Sequence, residues 1–145
     1  MANFRPLKQH MFLCLDRFIE DHGLRGPFLE IGCGTGTVSA HLARKGWTGL
    51  AIDFSDVAIA QAAANLAQFP AVEVRQQALA DVRGSFASVI MWDVLEHIED
   101  DQLDLLTSAG ATDCPRWSGR ARRRRRTDRR FRRRRAALIV RSITR

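Results

Sequence analysis

Residues 28–55 read FLEIGCGTGTVSAHLARKGWTGLAIDFS, and this stretch decides the fold. Phe28-Leu29-Glu30-Ile31 is a short apolar run between Gly26-Pro27 and Gly32, the mark of a strand. Gly32-Cys33-Gly34-Thr35-Gly36 is then too rich in glycine for either a strand or a helix. Residues 37–45 resume with Val38 and Leu42 on one helical face, and Gly46 ends that segment. Residues 48–52 read as a second strand ending at Asp53. Ser55 or Asp56 can cap a further helix that runs to about Leu66.

Working outward, residues 5–22 carry Leu7, Met11, Leu15 and Phe18 at helical spacing, with Gly23 as a stop. Pro70 closes the helix that begins near Ser55. Residues 71–76 read as a third strand, with Val72 and Val74 on one side and Glu73 and Arg75 on the other. Residues 86–92 read as a fourth, and Val89-Ile90-Met91 implies burial on both its faces. Asp101 and Asp104 open a short helix carrying Leu105 and Leu106. Strands alternating with helices predict an α/β fold, a doubly wound, mostly parallel Rossmann-like sheet with helices on both faces. Such sheets bind ligands beyond the carboxyl ends of their strands. Glu30 to Gly36, Asp53, and Asp93 to His97 all fall there.

The loop is G-x-G-x-G. Its third glycine comes one residue earlier than in the dinucleotide fingerprint, and it lacks the Gly-Lys-Ser/Thr ending of a P-loop. A phosphate-binding loop is therefore the weaker reading, and a nicotinamide-dependent oxidoreductase the weaker enzyme class. Three missing Cβ atoms let a ligand lie against the backbone, although such a loop alone is also compatible with a plain tight turn. Glu30, at the strand terminus, can face a cationic amine directly or through water. Asp53 lies 21 residues after Gly32, where a carboxylate can accept both hydroxyls of a ribose; a capping or solvated acid is the alternative.

Together with SFASVIMWDVLEHIED at residues 85–100, the 28–55 stretch resembles the cofactor-binding half of class I S-adenosylmethionine-dependent methyltransferases. The similarity covers roughly residues 25–110. It implies that S-adenosylmethionine is the cofactor, with Glu30, Gly32, Gly34 and Gly36 around its methionine portion and Cys33 within that loop. Asp53 would take the ribose and Phe54 would flank the adenine. The family's acid after its third strand has no match at Gln77 or Ala78, which leaves Asp81 as a later candidate. Phe86-Ala87 stands where members often have Phe-Asp.

The sulfonium carries its own leaving group, so methyl transfer needs chiefly a nucleophile held in line and kept dry. A base is required only where the nucleophile must lose a proton at an unsuitable pKa. Asp93 and His97 stand where a substrate enters. Asp93 can contact cofactor or substrate, and His97 can serve as a base toward a phenol, carboxylic acid or amine. The alternative is one helical turn in which Val94, Leu95 and Ile98 pack and the polar residues face solvent. His10, His22 and His41 read as surface or packing residues, Cys33 as a thiol packed under the turn, and Trp92 as either a pocket or a core residue. No spacing fits a metal site. Cys14, Cys33 and Cys114 form no pair pattern, which suits a reducing, cytoplasmic setting. The N-terminus has no secretory pattern, and no apolar stretch approaches the ~18 residues of a membrane span.

The formal charge of +7 conceals two compositions. Fifteen of the 23 basic residues follow Pro115, against the single acid Asp128, which leaves 8 basic and 15 acidic residues before it. The chain thus divides into a partial cofactor-binding domain, residues 1–115, and an arginine-rich tail, residues 116–145, expected to be disordered by self-repulsion. The acidic body favours a small-molecule substrate. Arg122–Arg126 and Arg132–Arg135 support an alternative, an RNA- or DNA-binding arm on a possible nucleic-acid methyltransferase. The α/β pattern stops near 111–115, and a shifted reading frame of GC-rich DNA explains both that loss and the arginines. The C-terminal strands are then expected to be missing, the edge of the fourth strand open, and activity of this chain impaired. Ala136 to Val140 is the one run that can still add a strand.

Overall fold

The computed structural model describes residues 5–92 and 137–144, with side chains from residue 9 to 92. Along the chain lie α1 (Arg5–His22), β1 (Phe28–Ile31), α2 (Thr37–Arg44), β2 (Gly49–Asp53), α3 (Asp56–Leu66), β3 (Val72–Gln76), a 3-10 turn (Leu79–Asp81), β4 (Ser85–Trp92) and β5 (Ala137–Thr144). The local signals act where they were read. Gly23 and Gly46 close α1 and α2, their N–H groups donating to Glu20 and Ala43 carbonyls. Ser55 is the N-cap of α3, its Oγ accepting the Ala58 N–H at 3.3 Å.

The strand order is β3-β2-β1-β4-β5, with β1 to β4 mutually parallel. From β1 the chain winds outward through β2 and β3, then returns to place β4 on the other side of β1. The winding direction therefore reverses between β1 and β4, and their carboxyl ends flank the crevice in which such sheets bind ligands.

Phe28, Ala51, Val72 and Ile90 lie on one sheet face and form a single cluster with Leu15 and Ile19 of α1, Val38 and Leu42 of α2, and Ala62 and Leu66 of α3. The three described helices thus cover the same face. Leu29, Ile31, Leu50, Ile52, Val89 and Met91, on the opposite face, are buried as well. Val89, Ile90 and Met91 have no exposed area, as their unbroken apolar run predicted. Gly49 is required by β1: a Cβ there would lie 2.5 Å from the Phe28 ring.

One expectation is corrected. The edge of β4 is not open, because Ala137–Thr144 pairs with it antiparallel, from Trp92↔Ala137 to Ser85↔Thr144. Over 137–144 a C-terminal strand is therefore present, in the run the sequence left able to add one. Leu138, Ile139, Val140 and Ile143 have high strand propensity, and β4 offers an unpaired row of backbone groups to satisfy. Residues 116–136 and the expected helix around 101–106 lie outside the described residues.

Candidate cofactor site

Glu30 ends β1's inward-facing row and is almost wholly buried. Its Oε2 accepts the Ser39 backbone N–H at 3.0 Å and the Ser39 hydroxyl. Ser39 sits in the first turn of α2, where backbone N–H groups have no helical partner, so the strand-end acid closes the start of the helix that follows it. Burial pushes the Glu30 carboxyl up to about 8; the two Ser39 hydrogen bonds oppose that shift and the charge of Asp53 adds to it.

The glycines of the loop divide by task. Gly34 has φ +53° and, among the described residues, nothing within 4 Å of where a Cβ would stand, so its Cα faces open space there. Gly36 has φ +73°, but a Cβ there would meet Leu66 Cδ1 at 2.9 Å and Ala62 Cβ at 3.2 Å. It is the point where α3 presses on the loop rather than an open face for a ligand. Gly32 and Cys33 both donate N–H to the Ile52 carbonyl at 2.9 Å, which ties the loop to β2. Asn65 Nδ2 holds the Thr35 carbonyl at 2.9 Å from α3. The Cys33 thiol is buried 3.8 Å from the Gly34 carbonyl. Burial first, then the charges of Glu30 and Asp53, push it up to about 12, so it is a packing thiol rather than a nucleophile.

Asp53 closes the site from β2. Its Oδ2 accepts the Gly34 N–H at 2.9 Å and its Oδ1 the Ser55 N–H at 3.0 Å. A carboxylate offers about four lone-pair sites, so both oxygens retain capacity for ligand hydroxyls. Phe54 follows it with 82% of its surface exposed, an unusual state for a phenyl ring. Its backbone is held from β3 and the residue after it: Gln76 Nε2 donates to the Phe54 carbonyl at 3.0 Å, and Gln77 N–H to the Asp53 carbonyl at 3.1 Å. Asp81 is exposed on the 3-10 turn, with no described contact to Phe54.

The structure thus brings Glu30, Gly32, Cys33, Gly34, Gly36, Asp53 and Phe54 to the carboxyl ends of β1 and β2. Asp93 and His97 lie outside the described residues. Trp92, at the end of β4, packs on the core cluster and keeps its indole Nε1 buried without a partner among the described residues. His41 stacks on Phe12 with ring centroids 4.2 Å apart and bonds Asp16 at 2.7 Å, a packing role joining α2 to α1. Ser39 and Gln76 were missed by the sequence reading. A serine in the first turn after an acid-ending strand is the signal that would have found Ser39; no local signal marks Gln76. Among the described residues no group of His, Cys, Asp and Glu could hold a metal ion. None of the described helices is long and apolar enough to cross a membrane. The arginine blocks are undescribed, so the nucleic-acid alternative keeps only its compositional basis.

Residues 4–112 match a family model described as a methyltransferase domain. The match stops beside the point where the composition changes. The ubiquinone biosynthesis O-methyltransferase of Caulobacter sp. (strain K31) is 37% identical over 106 residues, covering 66% of this chain and 42% of the relative. The protein of that name in Caulobacter vibrioides is 37% identical over 107 residues, with the same coverage. The chain therefore spans about 42% of the length of these curated relatives. Among solved structures, the DhpI-SAH complex is 28% identical with a TM-score of 0.57, covering 74% of this chain and 52% of that one. Magnesium protoporphyrin IX methyltransferase from Synechocystis PCC 6803, solved with bound SAM, has a TM-score of 0.59 at 24% identity, covering 74% and 57%. The last two share the α/β fold of this chain.

Proposed function

Because the chain belongs to the methyltransferase domain family, we propose that it binds S-adenosylmethionine at the carboxyl ends of β1 and β2 and supplies the cofactor half of a methyl transfer to a small-molecule oxygen nucleophile. The single observation that carries this reading is the junction of Gly34 and Asp53, an open Cα and a carboxylate joined by one 2.9 Å hydrogen bond. There a ligand can approach the backbone and meet an acceptor at once.

The residues present fit the group at three points. Gly34 leaves room for the methionine portion. Asp53 can take ribose hydroxyls without giving up its two backbone donors. The exposed Phe54 ring is an apolar surface that an adenine would cover. Gly32 and Cys33 would shape the loop through their bonds to Ile52, and Gly36 through its contact with α3. Gln77, tied to Asp53 through its N–H, and Asp81 would be the candidates for the base edge.

The bound cofactor would supply an activated methyl group with its leaving group attached. The protein's own share is to hold that group still and exclude water. Asp93, one residue past β4, would contact cofactor or acceptor, and His97 would take the acceptor's proton. A small-molecule oxygen acceptor is supported by the ubiquinone O-methyltransferase relatives and by the acidic composition of residues 1–115.

Isothermal titration of the 145-residue chain with S-adenosylhomocysteine tests the reading. Saturable one-to-one binding that disappears in Asp53→Ala is expected. Absence of binding by a folded chain, or binding indifferent to Asp53→Ala, overturns it.

A further inference from the structure

We propose that Asn65 of α3 is a positioning residue for cofactor binding. Its side-chain amide locks one peptide plane of the glycine loop and keeps the loop in its binding shape. Asn65 acts through the loop and does not touch the ligand. This role rests on the cofactor reading above and adds to it a residue 30 positions beyond Thr35.

The loop is held differently along its length. From β2, the Ile52 carbonyl accepts the Gly32 and Cys33 N–H groups, and Asp53 accepts that of Gly34. The next stretch is fastened from α3 instead. Asn65 Nδ2 donates to the Thr35 carbonyl at 2.9 Å, and the Gly36 N–H donates to the Cys33 carbonyl at 2.8 Å. The Thr35–Gly36 peptide is therefore pinned at both of its poles. The Thr35 hydroxyl pairs with that of Thr37 at 2.8 Å, so among the described residues Asn65 is the one side chain on this carbonyl.

Such a peptide needs pinning. Gly34 and Gly36 stand at φ +53° and +73°, and glycine crosses between signs of φ at little steric cost. Rotation of the Thr35–Gly36 plane would carry the Gly36 N–H off the Cys33 carbonyl and reshape the turn that leaves Gly34 open. Ala62 and Leu66 already abut Gly36 from α3, but apolar contact carries no direction. Asn65, three residues after Ala62 and beside Leu66 on the same helical face, supplies the direction.

The composition of α3 agrees. Its sequence DVAIAQAAANL is filled mostly with alanine, the best helix former, whereas asparagine is among the weaker ones. Asn65 is exposed and packs into no core, so its place in the helix is explained by the bond it makes to the loop.

A loop freed from this bond spends only part of its time in the competent shape. Apparent affinity falls by that fraction while every ligand contact survives, so the loss appears in the association rate. A side chain that touched the ligand would lose in the dissociation rate instead.

Calorimetry and stopped-flow binding of S-adenosylhomocysteine to the full chain separate these cases. Asn65→Ala is expected to bind about three- to tenfold more weakly through slower association, which is the worth of one neutral hydrogen bond. Its melting temperature is expected to stay level or rise, because alanine favours the helix. Amide exchange at Gly36 is expected to quicken in the ligand-free variant. Asn65→Asp, which keeps the shape without the donor, is expected to show the same slower association. Unchanged affinity, a loss carried by dissociation, or a loss that tracks a lower melting temperature in both variants overturns the positioning role and leaves the cofactor reading intact. Failure of the unaltered chain to bind overturns that reading itself.

Discussion

The Gly34 backbone N–H donates to Asp53 Oδ2 at 2.9 Å. This bond ties the glycine loop after β1 to the carboxyl end of β2, across 19 positions of sequence. It fixes the distance between the two parts of the site before any ligand arrives, and it leaves the Gly34 Cα facing open space.

Asp53→Ala removes the acceptors for both Gly34 and Ser55 N–H groups. Loss of two such bonds at a half-buried position is expected to destabilise the chain by about 1–3 kcal/mol. Affinity for S-adenosylhomocysteine should fall by more than about tenfold, since each 1.4 kcal/mol is a factor of ten. Thermal melting and titration calorimetry measure the two effects separately.

Gly34→Ala and Gly36→Ala should differ in kind. At Gly36 the new methyl meets Leu66 and Ala62 of α3 on top of an unfavourable positive φ, so a stability loss of about 2–4 kcal/mol is expected. At Gly34 only the backbone preference opposes the change, about 1–2 kcal/mol, while the methyl intrudes on the ligand. Melting temperature is expected to fall further for Gly36→Ala. Affinity relative to stability is expected to fall further for Gly34→Ala, and the reverse pattern would contradict the division of the loop.

Stability should depend on pH through Glu30. Its folded carboxyl is raised from 4.5 to about 8, so between those values the native state holds a proton that the unfolded state has lost. Stability from this group is therefore complete below about pH 4.5 and declines as pH rises through about 8. Glu30→Gln, which cannot ionise, should melt higher than the unaltered chain at pH 8, and the difference should shrink toward pH 5. A difference independent of pH would exclude a raised carboxyl at this position.

Asp16 should act in the opposite sense. Its partial burial raises the carboxyl, but hydrogen bonds and charge from His41 and Lys45 outweigh this and hold it below the usual range. Stability from this cluster is present above the ordinary aspartate pKa and is lost as pH falls through the lowered one. Asp16→Asn is expected to cost about 1 kcal/mol at pH 7 and little in strong acid, seen as converging melting curves.

Deleting residues 137–145 uncovers the backbone edge of β4, whose Val89, Ile90 and Met91 are paired with Val140, Ile139 and Leu138. Faster amide exchange at those three β4 residues and concentration-dependent association are expected. Unchanged exchange would show that β5 does not protect this edge in solution.

Much of the fold was legible because its signals are local. Phe28–Ile31 was marked by an apolar run between glycines, α3 by Ser55 and its Ala-rich stripe, and α1 by Leu15 with Met11 and Phe18. The site was legible in part. Glu30, Gly34 and Asp53 declared themselves by standing at strand ends, where an α/β sheet binds its ligands. The β5 pairing was not legible as such, because Ala137–Thr144 carries strand propensity but no statement of which edge it joins or in which direction. Asp93 and His97 remain known from sequence alone.

The sequence by itself determined the order of strands and helices, the glycine loop and the family, since periodicity, caps and punctuation act within a few residues of one another. Tertiary structure alone decided what each residue of the loop does. Gly34 and Gly36 are the same residue type two positions apart, yet one faces open space and the other faces Leu66. Glu30 and Asp53 are both strand-end acids, yet one is sealed against Ser39 and the other remains half-exposed. The physical reason is that packing and desolvation depend on atoms brought in from distant parts of the chain, and desolvation sets whether a carboxyl is charged.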